Sequence, residues 1–281
     1  MEQQLNQIRD QQRQTWDKFS PGWKKWDELV LGWIAPVGDE LIRNARLHDA
    51  CHLLDVAGGT GEPGLSAARI VTRGKVTVID LSDGMLEVAA EKAARRGIVN
   101  FETRQCDVGA MPFDDGSFDA VTCRFGFMFF PDIGLGLKEM KRVSKPGARI
   151  CSAVWGAPER NPWATTVMSA IAAHVEMPPA APGAPGLFRC AAPGFMASAY
   201  QDAGLRNIVE TEISGEVEFD SPGQYWLFMT EIAAPVVAGL AKTDEPTRDA
   251  IRDAVLSGAR QTSGNGKARF NWSARVITGE R

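Results

Sequence analysis

Residues 53–65 read LLDVAGGTGEPGL, in which a short apolar strand runs into a loop with the spacing Gly59-x-Gly61-x-x-Gly64. A glycine loop of this kind lets the backbone approach a ligand closely at the end of a strand. The glycines alone do not distinguish a dinucleotide from another adenosine cofactor, because an isolated GxGxxG pattern has low specificity. The acids near the loop and the order of strands and helices must therefore decide between the two.

The composition is that of an ordinary globular protein: 281 residues, 44% hydrophobic and 23% charged, with a net charge of −4. The mild acidity argues against a nucleic-acid partner and favours a small-molecule one. The polar start, MEQQLNQIRDQQRQ, lacks the apolar centre of a signal peptide, and the longest apolar runs are too short for a transmembrane segment. We therefore expect a cytoplasmic protein. The five cysteines form no CxxC pair, which favours buried thiols over a metal site.

Short apolar strands alternate with helical segments from about residue 40 to residue 155, which is typical of a parallel sheet covered on both faces. We predict an α/β fold with a doubly wound, mostly parallel seven-stranded sheet of Rossmann-like type, N-terminal helices and a late helical lid insertion. The predicted helix after the glycine loop spans about 62–72. The predicted strands are 52–57, 76–80, 100–106, 118–123, 149–155, 207–219 and 268–279.

The same pattern divides the chain into functional parts. A segment rich in proline and glycine, 177–195, favours a loop within a lid. The predicted parts are an N-terminal helical cap (1–45), a cofactor-binding core (46–156), lid elements (157–200 and 220–266) and the last strands of the core sheet (201–219 and 267–281).

Three acids stand at the ends of successive predicted strands: Asp55, Asp80 and Asp107. One ligand lying across these strand ends could meet all three, and Asp80 suits the two hydroxyls of a ribose. Asp55 lies where a pyrophosphate would sit, and there it would repel a phosphate but attract a sulfonium or ammonium group. This favours S-adenosyl-L-methionine over a dinucleotide. Alternatively, each acid is only a helix cap and the glycines only a turn.

Residues 55–62, DVAGGTGE, resemble the first motif of class I S-adenosylmethionine-dependent methyltransferases. The Ala-Gly-Gly-Thr-Gly form is similar to that of the ubiquinone/menaquinone-biosynthesis C-methyltransferases. Further similar pieces are 80-DLSDGML-86, 112-PFDDGSFDAV-121, Phe125-Gly126 and 142-RVSKPG-147. The resemblance covers about residues 50–155, and it implies a Rossmann-like methyltransferase fold with S-adenosyl-L-methionine as cofactor and S-adenosyl-L-homocysteine as product.

The resemblance also implies a role for each matching residue. The residues expected to hold the methionine part of the cofactor are Asp55, Ala57, Gly58, Gly59, Thr60 and Gly61. The residues expected to contact the ribose and adenine are Asp80, Leu81, Met85, Asp107 and Val108. Arg124 and Phe125 are expected to line the methyl-transfer end. We expect the acceptor pocket to include Phe127, Met128, Phe129 and Trp163.

The chain departs from the quinone enzymes at 16-WDKFSPGWKKWDE-28, which lacks their Tyr-Asp motif, and at the apolar run 127–130. We therefore predict methyl transfer to a small apolar or aromatic acceptor, which includes quinone precursors, phenols and lipid-like molecules. No catalytic residue and no metal site is predicted, since His174 is the one histidine placed to reach an acceptor and is more typical of a structural position. The alternatives are a dinucleotide-dependent oxidoreductase and a non-catalytic partner protein. The apolar stretch 29–37 packs either within the chain or in a homodimer.

Overall fold

The computed structural model describes residues 2–176 and 183–281, and in these ranges it contains a seven-stranded sheet. The strands are β1 (His52–Val56), β2 (Lys75–Asp80), β3 (Phe101–Gln105), β4 (Phe118–Arg124), β5 (Ser144–Trp155), β6 (Arg206–Phe219) and β7 (Ala268–Glu280). Their order is β3-β2-β1-β4-β5-β7-β6. Strands β1 to β5 pair in parallel, and β7 runs antiparallel to both of its neighbours. The predicted mostly parallel, seven-stranded α/β fold is confirmed.

Helices cover both faces of this sheet. They are α1 (Glu2–Lys25), α2 (Asp27–Ala45), α3 (Gly64–Ala68), α4 (Asp83–Arg95), α5 (Ile133–Val143), α6 (Pro162–Ala172), α7 (Phe195–Asp202), α8 (Pro222–Ile232), α9 (Ala234–Leu240) and α10 (Glu245–Arg260). The predicted helix 62–72 is wrong in extent. The glycine loop continues to Pro63, and the chain after α3 turns through hydrogen bonds such as Gly74 N–H to the Val71 carbonyl, which return it to β2.

The central strands are buried on both faces and the edge strands are not. In β1, β2 and β4 nearly every side chain is buried, as expected for parallel strands between two helical layers. The edge strands β3 and β6 carry mostly exposed or half-buried residues, many of them charged, which discourages pairing with another chain. The carboxyl ends of β1, β2, β3 and β4 therefore meet at one edge of a rigid core.

The apolar stretch 29–37 packs within the chain. It lies in α2, which buries Val30, Trp33, Ile34 and Val37 and packs against β4, β5, β6 and β7. Helix α1 packs against α4 and α8. No helix in the described parts of the chain combines the length and the hydropathy required to cross a membrane.

Two groups of helices follow β5. Helix α6 packs against α9 and α10, and α8 packs against both of these as well. Helix α7 packs instead against α5, β6 and β7, on the sheet itself. The division into cap, core and lid stays a prediction, and residues 177–182 of the proline-rich segment lie outside the described residues.

The contact between α7 and the sheet rests on a buried hydrogen bond that can be tested. The Tyr200 hydroxyl donates to Ser152 Oγ at 2.7 Å, and both residues are fully buried. We expect Tyr200→Phe to lower the free energy of unfolding by about 1–3 kcal/mol, because Ser152 loses its buried partner. Urea denaturation measures the change. Adding Ser152→Ala should recover part of the loss, and a double variant no more stable than Tyr200→Phe would contradict this account.

Candidate functional site

The loop after β1 has the geometry of a cradle. Ala57, Gly59 and Gly61 have φ of 52°, 52° and 104°, a region that favours glycine. A Cβ on Gly58 would lie 2.3 Å from Val78 Cγ1, so this glycine lies directly against β2. A Cβ on Gly59 would meet no heavy atom within 4 Å. The loop is thus closed on its sheet side and open on the other, where its backbone can meet a ligand.

Asp80 connects this loop to the next one. Its Oδ2 accepts a hydrogen bond from Gly59 N–H at 2.9 Å, and its Oδ1 accepts one from Ser82 N–H at 2.9 Å. Burial raises the pKa of the carboxyl, and these backbone donors oppose that rise. Because each carboxylate oxygen has two acceptor sites and Asp80 is only half-buried, the carboxylate keeps capacity for further donors from a ligand.

Asp55 has a different role from the one expected. It is wholly buried, its Oδ2 accepts from Gly64 N–H at 2.9 Å, and its Oδ1 accepts from Thr122 Oγ1 at 2.8 Å. Burial raises the pKa of Asp55 to about 7, against the lowering effects of Thr122 and Arg124. The expectation that Asp55 faces a cationic ligand is therefore wrong in this structure, since its side chain is wholly buried. Its part in cofactor binding stays a prediction, exerted through the loop.

Asp107 is also already engaged. Its Oδ2 pairs with Arg9 Nη1 at 2.6 Å and its Oδ1 accepts from Gly109 N–H at 2.9 Å. Beside it lies a cavity of about 310 Å³ at the carboxyl ends of β2 and β3. The residues that line this cavity, called the edge cavity below, are Arg9, Asp10, Arg13, Leu81, Gln105, Cys106 and Asp107. The structure thus brings Leu81 and Asp107 together as expected, under residues of α1 that the sequence analysis missed.

Two other expected adenine contacts lie elsewhere. The Met85 side chain is buried in the core, and its N–H donates to Ser82 Oγ at 3.1 Å to cap α4. Val108 packs towards α5, where its Cγ2 lies 3.5 Å from a Cβ placed on Gly136. Neither residue lines the edge cavity, and their predicted contact with adenine stays a prediction.

Helix α1 is held across this edge by further polar contacts. Asp17 Oδ1 accepts from Ser82 Oγ at 2.6 Å and from Gly84 N–H at 3.3 Å. At the start of α2, Asp27 Oδ1 pairs with Lys92 Nζ at 2.7 Å. These contacts could not be predicted from the sequence, because a polar helix does not indicate which of its faces meets the sheet edge.

Four aromatic side chains gather at the carboxyl ends of β4 and β5. Phe125, with φ of 61°, stacks on Trp155 with ring centroids 4.1 Å apart. Trp33 of α2 stacks on Trp155 at 5.5 Å, and Trp163 meets Trp33 at 4.7 Å. These four residues are called the aromatic cluster below. The prediction for Trp163 selected one member, while Trp33 was not recognised because its position within a buried helix resembles ordinary core.

Phe127 and Met128 do not line an open pocket. Both are fully buried in the turn Phe127–Phe129, and Phe127 packs against Phe130 with centroids 4.9 Å apart. The turn directs these two side chains into the core, so the expectation that they form a pocket wall is not met. Phe129 is half-buried and contacts Trp16 of α1 edge-on at 5.1 Å.

A second cavity of about 490 Å³ lies between α2 and β6. Trp26, Leu29 and Trp33 form its aromatic and apolar wall, and Glu216 and Glu218 lie on the opposite side. Buried Trp33 Nε1 has no hydrogen-bond partner in the described part of the chain. A cavity of this size suits a small organic molecule, since such sites usually have about 300–1,000 Å³.

None of the residues described above at this edge is a histidine. His174 is exposed beyond the end of α6, and His52 Nε2 lies 3.0 Å from Thr77 Oγ1 at the other end of the sheet. Within residues 2–176 and 183–281, no group of three or more His, Cys, Asp or Glu side chains is arranged to hold a metal ion.

The chain is similar to known methyltransferases in its cofactor half. Residues 39–168 match the profile of the ubiE/COQ5 methyltransferase family. The ubiquinone/menaquinone biosynthesis C-methyltransferase UbiE of Brucella canis is 35% identical over 136 residues, which are 47% of this chain and 47% of that protein. The chain thus spans about half the length of the curated relatives it matches. The match confirms the resemblance found in the sequence.

Two solved structures show the same fold over more of the chain. The YcgJ protein from Bacillus subtilis aligns with a TM-score of 0.57 at 19% identity, covering 87% of this chain and 97% of that one. The phosphoethanolamine N-methyltransferase 2 of Haemonchus contortus, solved with S-adenosyl-L-methionine, aligns with a TM-score of 0.54 at 16% identity, covering 91% and 52%. These alignments confirm the Rossmann-like methyltransferase fold.

The buried carboxyl of Asp55 predicts a pH dependence of stability. Its pKa of about 7, against 3.8 when free, means that the folded chain binds more protons than the unfolded chain in this interval. Stability should therefore fall as pH rises through it, by as much as about 4 kcal/mol. Asp55→Asn should remove this component, because an amide can accept from Gly64 N–H and donate to Thr122 Oγ1.

Urea denaturation of both proteins between about pH 5 and pH 8 measures the effect. The variant should gain stability relative to wild type as pH rises. Parallel pH profiles for the two proteins would show that Asp55 is ionised in the folded chain and would contradict the account.

Proposed function

We propose that this chain is an S-adenosyl-L-methionine-dependent methyltransferase for a small aromatic or apolar acceptor. The observation that carries the proposal is the hydrogen bond from Gly59 N–H to Asp80, which joins the glycine loop to the loop after β2 beside the edge cavity. A single adenosine cofactor would extend from the glycine loop past Asp80 to the edge cavity. The match of residues 39–168 to a methyltransferase family supports the same reaction.

The strand order argues against the oxidoreductase alternative. The usual dinucleotide-binding sheet has six strands in the order 3-2-1-4-5-6, all parallel. Here β7 is inserted antiparallel between β5 and β6.

The residues at this edge fit the cofactor. The open side of the loop Ala57–Gly61 would hold the methionine part, Asp80 would accept from the ribose hydroxyls, and Leu81 and Asp107 would border the adenine. When bound, the cofactor supplies a methyl group already activated on a sulfonium. Arg9 now occupies one side of Asp107, so the adenine amino group would share this carboxylate with Arg9 or displace it.

The chain contributes mainly positioning. An in-line displacement needs the acceptor atom behind the methyl group, and holding both partners in this geometry can contribute about 7–11 kcal/mol. Rigid groups surround the methyl-transfer end: the loop backbone, the end of β4 and the aromatic cluster. No histidine of the described residues lies at this edge, so we assign no general base and infer that the acceptor brings its own nucleophilic electron pair.

The acceptor is proposed to be an aromatic ring. Phe125, the half-buried member of the aromatic cluster, lies at the end of β4, and the cavity between α2 and β6 is lined on one side by Trp33 of the same cluster. The relatives are named for methylating carbon in ubiquinone and menaquinone biosynthesis. An electron-rich ring such as a hydroquinone or phenol is therefore the first acceptor class to test, in a cytoplasmic setting.

Cofactor binding tests the proposal most directly. S-adenosyl-L-homocysteine and NADH are titrated calorimetrically into wild type, Asp80→Asn and the control Asp114→Asn. Asp114 is an exposed aspartate before β4, away from the site edge. S-adenosyl-L-homocysteine should bind to wild type and to the control with the same affinity. Asp80→Asn should lower this affinity by about tenfold to a hundredfold, because charged hydrogen bonds to the ligand are lost. Binding of NADH alone would refute a methyl-donor site.

Transfer is then measured with methyl-labelled cofactor and a panel of hydroquinones, phenols and lipids. Label incorporated into the aromatic members supports the acceptor class, and mass spectrometry locates the methylated atom. If the protein binds neither cofactor, the partner-protein alternative takes the place of this proposal.

A further inference from the structure

Arg124, the last residue of β4, is a half-buried cation without a partner. Its guanidinium makes no hydrogen bond or ion pair within residues 2–176 and 183–281. Burial lowers its pKa, and the charges of Glu62, Asp55 and Asp27 act on it only from a distance. A desolvated cation in this position costs stability unless another group compensates it.

The nearby carboxylates are all committed to other groups. Glu62 pairs with Arg96 at 2.8 Å and accepts from Ser66 Oγ at 2.7 Å. Asp27 pairs with Lys92 at 2.7 Å. Asp55 accepts one hydrogen bond on each oxygen, from Gly64 N–H and from Thr122 Oγ1. The other two cations of this region, Arg96 and Lys92, therefore have partners, whereas Arg124 has none among the residues that the structure describes.

The free guanidinium lies beside the glycine loop. Its Nη1 is 3.9 Å from a Cβ placed on Gly38 of α2, and the same point is 3.6 Å from Pro63 Cβ, at the end of the loop. Phe125 of the aromatic cluster follows Arg124 directly. The group thus lies where the loop, α2 and the end of β4 converge, at the border between the expected methionine part and the aromatic cluster.

We propose that Arg124 anchors a carboxylate-binding subsite at the methyl-transfer end. A guanidinium presents two parallel N–H donors that match the two oxygens of a carboxylate, and it holds its charge when partly desolvated. The inference rests on the proposed function for its setting. The carboxylate comes either from the amino-acid end of the cofactor or from an acidic group on the aromatic acceptor.

The two sources are distinguished by paired ligands. S-adenosyl-L-homocysteine has the amino-acid carboxylate and 5′-methylthioadenosine lacks it. Benzoate and benzamide form the corresponding pair for an acceptor. All four are titrated calorimetrically into wild type, Arg124→Gln, Arg124→Lys and Arg149→Gln. Arg149 is a control with the same change of charge, half-buried at the opposite end of the sheet.

If the cofactor supplies the carboxylate, Arg124→Gln lowers the affinity for S-adenosyl-L-homocysteine by about tenfold or more. The affinity for 5′-methylthioadenosine then stays within about twofold of the wild-type value. If the acceptor supplies it, the same variant abolishes the preference for benzoate over benzamide. Arg124→Lys should recover part of either effect, and Arg149→Gln should show neither. Unchanged affinities for all four ligands in Arg124→Gln would overturn the proposal.

Folding and the proposed function are checked separately. Because Arg124 has no partner in the described chain, Arg124→Gln should leave the thermal midpoint equal to wild type or higher. If that variant is destabilised, Arg124→Lys is compared with Arg149→Gln instead. If wild type binds neither S-adenosyl-L-homocysteine nor 5′-methylthioadenosine, the methyltransferase proposal is refuted. In that case the benzoate and benzamide pair still tests Arg124, and equal binding of the two by wild type would overturn the subsite.

Discussion

The carboxylate of Asp55 holds the candidate site together. From the buried end of β1 it accepts one hydrogen bond from the start of α3 and another from β4. It therefore fixes the position of the glycine loop, which lies between β1 and α3, relative to the strand that ends in Arg124. In a site that works by positioning, this fixed distance between loop and strand matters more than a direct contact of Asp55 with a ligand.

A second constraint comes from α1, which lies across the same edge. Arg9 binds Asp107 and Asp17 binds Ser82 in the loop after β2, so this helix is joined to the carboxyl ends of β2 and β3 at two separate points. This helix lines the edge cavity with Arg9, Asp10 and Arg13, polar groups that a ligand can exchange for its own. Helices α1 and α2 therefore present polar side chains beside the edge cavity and aromatic side chains beside the ends of β4 and β5. This division matches an adenosine cofactor next to an aromatic acceptor.

The sequence predicted the sheet because strand and helix periodicities are local, and the glycine loop because its backbone needs glycine at defined points. The contacts of single acids were harder to predict, since Asp55, Asp80 and Asp107 follow the same strand-end pattern. Asp55 is wholly buried, whereas Asp80 and Asp107 are half-buried. Whether a carboxylate meets a ligand or the chain depends on remote partners such as Thr122 and Arg9, which no local pattern indicates. The apolar run 127–130 was misread for a related reason, because hydrophobicity does not distinguish a pocket wall from core.

The distribution of charge at the methyl-transfer end limits what can bind there. Arg96 and Lys92 neutralise Glu62 and Asp27, which leaves the guanidinium of Arg124 and the nearby carboxyl of Asp55. Asp55 has a pKa of about 7, so at neutral pH this carboxyl is only partly charged and compensates Arg124 weakly. A ligand with a single positive charge would be repelled by Arg124, and a neutral ligand would leave it desolvated. An amino-acid group carries a carboxylate beside its cation, and this carboxylate would satisfy the guanidinium. The charge pattern therefore favours a ligand that brings a carboxylate to the end of β4 over one that is only cationic or neutral there.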